Sequence, residues 1–414
     1  MPANTRTDRH AIYALAVLTF INIFNYVDRW VIAAVLEPMK KDLGLSDARL
    51  GWLAAGFIVV YSVTSPVFGR LGDSRRRPPL IAIGVAVWSL ATGLAGFARG
   101  FWTMFAARSA VGVGEAAFGT IAPALLADQF PLERRGRIMS VLFAAIPIGS
   151  AAGYVLGGLA NEHFGWRSAF WIAGFPGVLL AVLVMFVKDP PRGQHDDAHA
   201  PRASGTGLAA AYRDLWQNRP YILAVLGYAA YTFALGGLGY WMPAFLERER
   251  GMSHSQATVT FGGIVIVTGF VGTFFGGWLS DKLLSRTRQS YLWVSGIATL
   301  IAAPLTLIGL MSRVPAVYLT TIILAEVLIF MSTGPINSAI LNAVPPVERA
   351  TAVGMSVLIM HLFGDIPSPP LIGILSDSSS LGKAILIVPV AIAISGMIWC
   401  YAAARAARGA TESA

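Results

Sequence analysis

Long apolar stretches and short polar connections alternate along the whole chain. Twelve stretches carry few charges, and each is close to or above the roughly 20 apolar residues that a helix needs to cross a bilayer. The pattern therefore predicts twelve transmembrane helices, with ends placed to within several residues. The predicted spans are 11–36, 49–70, 79–98, 102–127, 137–160, 168–188, 219–246, 256–280, 290–311, 315–343, 350–376 and 382–404.

One polar interruption, residues 189–218, is far longer than the other connections. It contains adjacent prolines, glycines and a run of histidine and aspartate, a composition typical of a flexible linker. It divides the chain into an N-terminal six-helix bundle, residues 1–188, and a C-terminal six-helix bundle, residues 219–414. The predicted fold class is thus an all-α membrane protein with two six-helix bundles.

Basic residues are distributed unevenly between the connections. The connections on the side of the N-terminus hold about twice as many Lys and Arg residues as those on the other side. Cytoplasmic connections carry such an excess, so we expect both termini and the linker in the cytoplasm. The compact chain suggests the inner membrane of a bacterium.

The composition excludes a soluble protein. Hydrophobic residues make up 55% of the 414 residues and charged residues only 13%, whereas soluble domains carry about 25% charged residues. The net charge of +9 comes mostly from the short connections, so it indicates membrane orientation and no nucleic-acid partner. Cys400, the only cysteine, excludes an intramolecular disulfide and a thiolate metal cluster.

Asp28 and Arg29 lie inside the first predicted span, in the run Asn-Tyr-Val-Asp-Arg at 25–29. Each charge at the centre of a membrane helix costs about 2.5–3.5 kcal/mol. Other helices or water must therefore cover this pair. Charges in such positions mark transport pathways by default.

The fourth predicted span contains Arg108 and Glu115, which are seven positions apart and share one helix face. Arg29 and Arg108 supply fixed positive charge that suits a phosphate or carboxylate head group. Asp28 and Glu115 are candidate proton carriers, because burial disfavours a charged carboxyl group and a nearby arginine favours it. A bound substrate would change the balance between the charged and the neutral form of these carboxyl groups. The alternative is a structural ion pair, such as Asp28 with Arg108.

Polar faces also occur on the tenth and eleventh predicted spans. Thr333 and Asn337 are candidate substrate-binding residues, and Glu326 lies seven positions before Thr333 on the same face. His361 and Asp365 are four positions apart, and a histidine titrates near neutral pH. These two residues and Glu326 are candidate proton-coupling residues. We expect spans one, four, ten and eleven to line one cavity between the bundles, the alternatives being a His361–Asp365 ion pair and a bond from Glu326 to a neighbouring helix.

An internal repeat links the two halves. Residues 69–73 read Gly-Arg-Leu-Gly-Asp before Ser and three arginines, and residues 277–281 read Gly-Trp-Leu-Ser-Asp before Lys. This pattern resembles the loop signature of the major facilitator superfamily, and the resemblance covers essentially the whole chain. It implies the major facilitator fold, in which two bundles rock about a midplane site and open it to each side alternately.

The resemblance also implies that this loop latches the cytoplasmic side in the outward-open state. In this picture Asp73 can reach a helix N-terminus or a basic partner, and Arg76 or Arg77 can pair with Asp128 at the end of the fourth span. The alternative is that the loop only anchors topology, although acidic residues contribute little to topology. The expected latch residues are Gly69, Asp73, Arg76, Arg77, Asp128 and Asp281.

Two motifs narrow the family. The run at 25–29 is similar to the first helix of spinster-type lipid transporters and of organic-anion/proton symporters alike. The fourth span, with Gly-Val-Gly-Glu-Ala at 112–116 and Thr-Ile-Ala-Pro at 120–123, resembles the spinster branch, as does the turn at 133–137. The resemblance implies proton-linked movement of a lysophospholipid or sphingoid phosphate. It assigns the head-group and proton site to Asp28, Arg29, Arg108 and Glu115. Asn25 and Tyr26 of the first span are further candidate substrate-binding residues.

Three alternatives stay open at this point. A symporter of small organic anions, such as sugar acids, would use the same arginines. A membrane sensor would need an appended soluble domain, and only the linker is available. An intramembrane enzyme has no support beyond the buried acids and His361, and the absence of a P-loop argues against direct use of ATP.

We expect neither a cofactor nor a metal, since a proton gradient drives such transport. His195 and His199 are spaced for a metal, but in a flexible linker solvated side chains are the better interpretation. The expected partners are protons, membrane lipids and the transported amphiphile or organic anion, and the expected state is a monomer.

Overall fold

The structure, a computed structural model, describes residues 9–192, 194, 208–345 and 349–412. Within these ranges the regular elements are helices, and no strand occurs. Twelve helical segments of the described chain are long and apolar enough to cross a membrane. The all-α fold class with twelve spans is thereby confirmed.

The chain divides into two compact units, of which the first comprises Met1–Leu45, Trp52–Ala200 and Ser253–Gly262. Its helices are α1 (Arg9–Ala34), α2 (Leu36–Leu43), α3 (Asp47–Ser74) from Trp52 onward, α4 (Arg77–Ala95), α5 (Phe101–Gln129), α6 (Leu132–Phe164) and α7 (Trp166–Val184).

Close helix contacts at glycines organise this first unit. Helix α1 packs along α6, and α4 packs against both α5 and α7. A Cβ atom at Gly149 of α6 would collide with the backbone at Ile23 and with Tyr26, and one at Gly114 of α5 would collide with the backbone at Gly84. Small residues allow membrane helices to approach this closely. The contacts fix which face of α1 points toward α6 and which face of α5 points toward α4.

The second unit comprises Ser46–Gly51, Pro201–Met252 and Gly263–Ala414. Its helices are α8 (Leu208–Gln217), α9 (Arg219–Arg250), α10 (His254–Leu283) from Gly263 onward, α11 (Ser290–Met311), α12 (Pro315–Phe330), α13 (Thr333–Asn342), α14 (Arg349–Met360), a π-helix (His361–Asp365), α15 (Ser368–Ser378), α16 (Leu381–Ala384) and α17 (Ile387–Glu412).

Two predicted spans of the second half are irregular. The tenth is broken between α12 and α13, where Pro335 cannot donate a backbone hydrogen bond to the preceding turn. The eleventh contains the π-helix in its middle, an element that is frequent at functional sites. The pattern of apolar residues predicts neither the break nor the π-helix, because both stretches are apolar along their whole length.

Part of the segment predicted as a flexible linker is helical. In α8, Leu215 is buried whereas the neighbouring Trp216 is 61% exposed, as expected of a helix with one apolar face. Residues 193 and 195–207, which include His195 and His199, lie outside the described residues.

Candidate functional site

Two arginines and two acids meet between α1 and α5 in the first unit. Arg29 Nη2 donates to Glu115 Oε2 over 2.7 Å, and Arg29 Nε donates to the same oxygen over 3.3 Å. Arg108 Nη1 donates to the Asp28 backbone oxygen over 3.3 Å and to Asp28 Oδ1 over 3.5 Å. Each helix thus contributes one arginine and one acid, and each arginine bonds the acid of the other helix.

Burial separates the members of this cluster. Asp28, Arg108 and Glu115 are almost completely buried, whereas the side chain of Arg29 is 24% exposed. Thr92 of α4 donates its hydroxyl to Asp28 Oδ1 over 2.5 Å. Arg29 is therefore the member that a ligand can reach first.

The buried acids are incompletely satisfied. Among the residues that the structure describes, Asp28 Oδ2 and Glu115 Oε1 have no hydrogen-bond partner, and neither has Arg108 Nε. Buried polar atoms in folded proteins nearly always have a partner, so these orphaned atoms are suited to a proton, a water molecule or a ligand.

Aromatic rings surround the guanidinium groups. The Arg29 guanidinium carbon lies 5.1 Å from the Tyr26 ring centre, 5.0 Å from that of Phe57 and 5.3 Å from that of Tyr61. Phe57 also faces Arg108, at 5.2 Å. These distances allow cation–π attraction. Phe57 and Tyr61 of α3 are not among the candidate site residues named from the sequence. The one sequence feature that links them is their spacing of four positions, which places both rings on the same face of the helix.

A cavity of about 110 Å³ adjoins the cluster within the first unit. It has room for several water molecules, since one water molecule needs a cavity volume of roughly 10–15 Å³. Asn25 is buried, and its side-chain Nδ2 has no hydrogen-bond partner in the described part of the chain. The polar lining residues are Asn22, Asn25, Tyr26, Arg29, Tyr61 and Glu115.

Polar residues of the second unit form a separate group. Thr333 Oγ1 lies 3.1 Å from the Tyr231 hydroxyl, which donates over 2.9 Å to the Ile329 backbone oxygen. Asn337 Nδ2 donates over 2.8 Å to the Thr333 backbone oxygen. The structure therefore brings Thr333 and Asn337 together, with the Tyr231 hydroxyl beside Thr333.

The proton-coupling candidates of the second unit lie in different surroundings. His361 Nδ1 is 2.8 Å from Asp365 Oδ1, both on the π-helix. Glu326 is buried elsewhere, beside a cavity of about 10 Å³ lined by Leu238 and Thr306 among others. Within the described part of the chain, Glu326 makes no hydrogen bond or ion pair.

The expected latch residues lie at the ends of α3, α4 and α5. Arg77, rather than Arg76, bonds Asp128, with Nη1 2.5 Å from Oδ2. Arg77 Nε also donates to Asp189 Oδ1 over 2.7 Å, and Arg77 Nη2 donates to the Pro190 backbone oxygen over 2.9 Å. The beginning of the linker thus completes a buried arginine site that sequence patterning does not reveal.

The remaining latch residues have few contacts. Asp73 and Arg76 are exposed, and Asp73 makes no hydrogen bond or ion pair within the described residues. A Cβ atom at Gly69 would meet nothing within 4 Å. Asp281, the counterpart of Asp73 in the second half, accepts a hydrogen bond from the Tyr291 hydroxyl over 3.0 Å.

Comparison with known proteins agrees with this architecture. The Major Facilitator Superfamily profile matches residues 18–366. Protein spinster homolog 1 of Homo sapiens is 36% identical over 385 residues, which cover 88% of this chain and 72% of that protein. Protein spinster homolog 3 of Danio rerio is 34% identical over 392 residues, which cover 90% of this chain and 78% of that protein.

A solved structure shares the fold. A bacterial homolog to the human lysosomal transporter Spinster, in an inward-facing and unoccupied conformation, matches with a TM-score of 0.87 and 23% identity. The match covers 96% of this chain and 97% of that chain.

Twelve apolar helices with a buried charge cluster characterise a multi-pass membrane transporter. The chain belongs to the Major Facilitator Superfamily, and its relatives make it a transporter of the spinster type. The resemblance drawn from residues of α1 and α5 is therefore confirmed. Because these relatives are transporters, the chain is not an intramembrane enzyme.

Proposed function

We propose that the protein is a proton-coupled secondary transporter that moves a lysophospholipid or a sphingoid-phosphate-like amphiphile by alternating access. It works without a cofactor, as a monomer in the inner membrane of a bacterium, with both termini in the cytoplasm. The observation that carries the proposal is the pair of crossed ion pairs beside a cavity in the first unit. The resemblance of α1 and α5 to spinster-type lipid transporters supports the substrate class.

Arg29 receives the anionic head group, because it is the exposed member of the cluster. A phosphate on Arg29 competes with Glu115 for the guanidinium N–H donors. A buried carboxylate without its counter-charge is costly, so Glu115 takes up a proton as the Arg29–Glu115 bond weakens. Anion binding and proton uptake then occur together.

Asp28 and Glu115 hold the proton between them. Their orphaned oxygens, Asp28 Oδ2 and Glu115 Oε1, lack donors, and one proton shared by the two carboxyl groups would satisfy both. Arg108 and Thr92 keep Asp28 in place through the bonds to its backbone and side chain. Asn25 and Tyr26 line the cavity beside the head group.

The second unit provides further contacts for substrate and proton. Thr333, which contacts the Tyr231 hydroxyl, and Asn337, which bonds the Thr333 backbone, bind the polar groups of the substrate. The His361–Asp365 pair on the π-helix is a second place for a proton, and the buried carboxyl of Glu326 is a third.

The residues at the cytoplasmic turn act as a conformational latch. Arg77 and Asp128 form its buried ion pair, and Asp73 engages a partner when the latch changes state. Gly69 and Arg76 of the first half and Asp281 of the second half belong to the same latch.

A symporter of small organic anions, such as sugar acids, is the second candidate. The size of the cavity favours it, because about 110 Å³ holds a small polar anion more readily than a lipid tail. The lysolipid transporter and the organic-anion symporter would use the same two arginines, Arg29 and Arg108. The two proposals therefore differ only in whether the ligand carries an apolar tail.

A binding screen on purified protein separates the candidates. Lysophospholipids and sugar acids of matched charge are titrated in the same detergent, against wild type and Arg29→Ala. We expect saturable lysolipid binding that Arg29→Ala weakens at least about tenfold, since hydrogen bonds between charged groups are the strong ones. Binding of sugar acids alone would replace the lipid proposal, and binding of neither would refute both.

A further inference from the structure

An apolar groove lies on the membrane-spanning part of the second unit. Its volume is about 550 Å³, which falls in the range of about 300–1,000 Å³ that is usual for ligand pockets. Every side chain that lines the groove is aliphatic or aromatic. Since none of these side chains offers a hydrogen bond, the groove suits a hydrocarbon chain rather than a polar ligand.

Three parts of the chain form the groove. Helix α17 and the π-helix both pack against α9, so α9 is the base, α17 is one wall, and the π-helix with α15 is the other. A Cβ atom at Gly364 would collide with the Ala229 backbone oxygen, which shows how closely the π-helix approaches α9. The small side chains of Ala229, Ala230 and Ala391 leave the space between the walls open.

The corresponding spans of the first half have a different arrangement. There the fifth and sixth spans, α6 and α7, pack directly against each other. In the second half the groove lies between the fifth span, which contains the π-helix, and the sixth, α17. Phe363 on one wall is 59% exposed and Val390 on the other is 57% exposed. Both walls therefore reach the surface of the unit, and the groove is open along that side.

The length of the groove matches one leaflet of a bilayer. Ile387 and Ile398 both line it and are eleven positions apart on α17, which at 1.5 Å per residue is about 16 Å. The hydrocarbon core of a bilayer is about 30 Å thick, so the groove is about as long as one leaflet is deep. This is the length over which a single acyl chain extends.

A basic residue lies beyond one end of the groove. Lys383 of α16 is exposed and precedes Ile387 by four positions, which is about one helical turn. The backbone N–H of Leu386 donates to the Lys383 oxygen over 3.2 Å, so the chain turns between the two helices. The carboxylate of Glu249 is engaged by the Gly382 backbone N–H over 2.9 Å. The ammonium group of Lys383 is suited to the phosphate of a lipid head group.

We propose that this groove binds one acyl chain of a bilayer phospholipid, with the phosphate of that lipid at Lys383. The chain lies against Phe363, on the π-helix that also carries His361 and Asp365, so an occupied groove supports the element that holds this pair. Without a hydrophobic driving force inside the membrane, close packing and the head group provide the selectivity. The inference requires only that the chain spans a membrane and does not depend on the transported molecule.

A photoreactive lipid tests the site. The full chain is reconstituted in phosphatidylcholine vesicles with a trace of phosphatidylglycerol that carries a diazirine midway along one acyl chain, and the labelled peptides are identified by mass spectrometry. We expect labelling concentrated on the groove-lining stretches of α9 and α17, and competition by unlabelled phosphatidylglycerol. Ala230→Phe should abolish most of it, because the ring occupies the base of the groove.

The matched control is Ala316→Phe, the same substitution at an exposed position of α12 outside the groove, which should be labelled as wild type. Lys383→Gln should lower labelling by phosphatidylglycerol about fivefold, the factor that one basic residue near a membrane surface contributes. If Ala230→Phe does not fold, Leu226→Trp takes its place, because Leu226 lines the groove and is 40% exposed.

Melting temperatures provide a second measurement. A ligand that binds the folded state raises its stability, so phosphatidylglycerol added in detergent should raise the melting temperature of wild type and of Ala316→Phe. The same addition should leave Ala230→Phe, or Leu226→Trp in its place, unchanged.

Three results would overturn the proposal. Labelling spread evenly over the exposed apolar helices, and unaffected by the groove-filling variant, would show annular lipid only. Competition by lysophospholipid as effective as that by phosphatidylglycerol would make the groove part of the transport path. Unchanged labelling of Lys383→Gln would refute the head-group contact.

Discussion

Arg29 bonds Glu115 at 2.7 Å, whereas Arg108 lies 3.5 Å from the nearest carboxylate oxygen of Asp28. The tighter pair includes the one partly exposed side chain of the four, and the looser pair is buried on both sides. A ligand can therefore compete for the first pair without disturbing the second. The two arginines consequently have different roles, and their variants should behave differently.

Arg108→Ala should destabilise the protein. It removes the arginine that pairs with the buried Asp28, and breaking a buried ion pair in this way costs about 3–5 kcal/mol. We expect a large fall in melting temperature in detergent, with Asp28→Asn in the same chain restoring most of it but not transport. Arg167→Ala, which breaks an exposed pair, is the control. An unchanged melting temperature in Arg108→Ala would show that the buried pair stabilises nothing.

Glu115→Gln should uncouple transport from pH. The amide keeps the shape of the side chain but cannot exchange a proton. We expect lysolipid uptake into proteoliposomes to lose its response to an inward proton gradient, while the affinity for substrate falls less. Glu162→Gln, an exposed position on α6, should behave as wild type. A full pH response in Glu115→Gln would assign the proton to another group.

Phe57→Leu should weaken binding of anionic ligands through the arginines. The ring of Phe57 faces both guanidinium groups, and a cation–π contact contributes about 0.5–2 kcal/mol. We expect a loss of affinity of several-fold, which Phe57→Tyr should largely recover. Equal affinities of the leucine and tyrosine variants would show that the ring only fills space.

Asp189→Asn should lower stability, whereas Asp73→Asn should not. Asp189 accepts two hydrogen bonds from Arg77, and a bond to a charged group contributes about 1.5–3 kcal/mol. Asp73 has no such bond in the described part of the chain. Thermal unfolding of the two variants, compared with wild type, checks the difference. Equal melting temperatures would mean that the linker contact is incidental.

Sequence patterns locate the charged residues of the site and offer Asp28 with Arg108 as an ion pair, which the structure contains, but they do not give the pair of Arg29 with Glu115. Charges inside apolar stretches are conspicuous because they are costly there, so Asp28, Arg29, Arg108 and Glu115 stand out. The crossed pairing depends on how α1 and α5 are rotated, which tight contacts such as that at Gly149 determine. No periodicity encodes that rotation.

Contacts between distant segments explain the other omissions. Asp189 bonds Arg77 across 112 positions, and the composition around it indicates a linker rather than a binding partner. Asp47 accepts hydrogen bonds from Arg248, which is 201 positions away. In the sequence each of them is an ordinary charged residue near a helix end, and nothing indicates that they form a pair. Only the folded chain brings such residues together.

Proton movement caused by substrate tests the central claim most directly. A pH-sensitive dye inside proteoliposomes, with lysolipid added outside and no imposed gradient, reports whether the two move together. We expect lysolipid to acidify the lumen with wild type and not with the Asp28→Asn, Glu115→Gln double variant. Lysolipid uptake at the wild-type rate without any change in lumenal pH would contradict coupling at the crossed pairs.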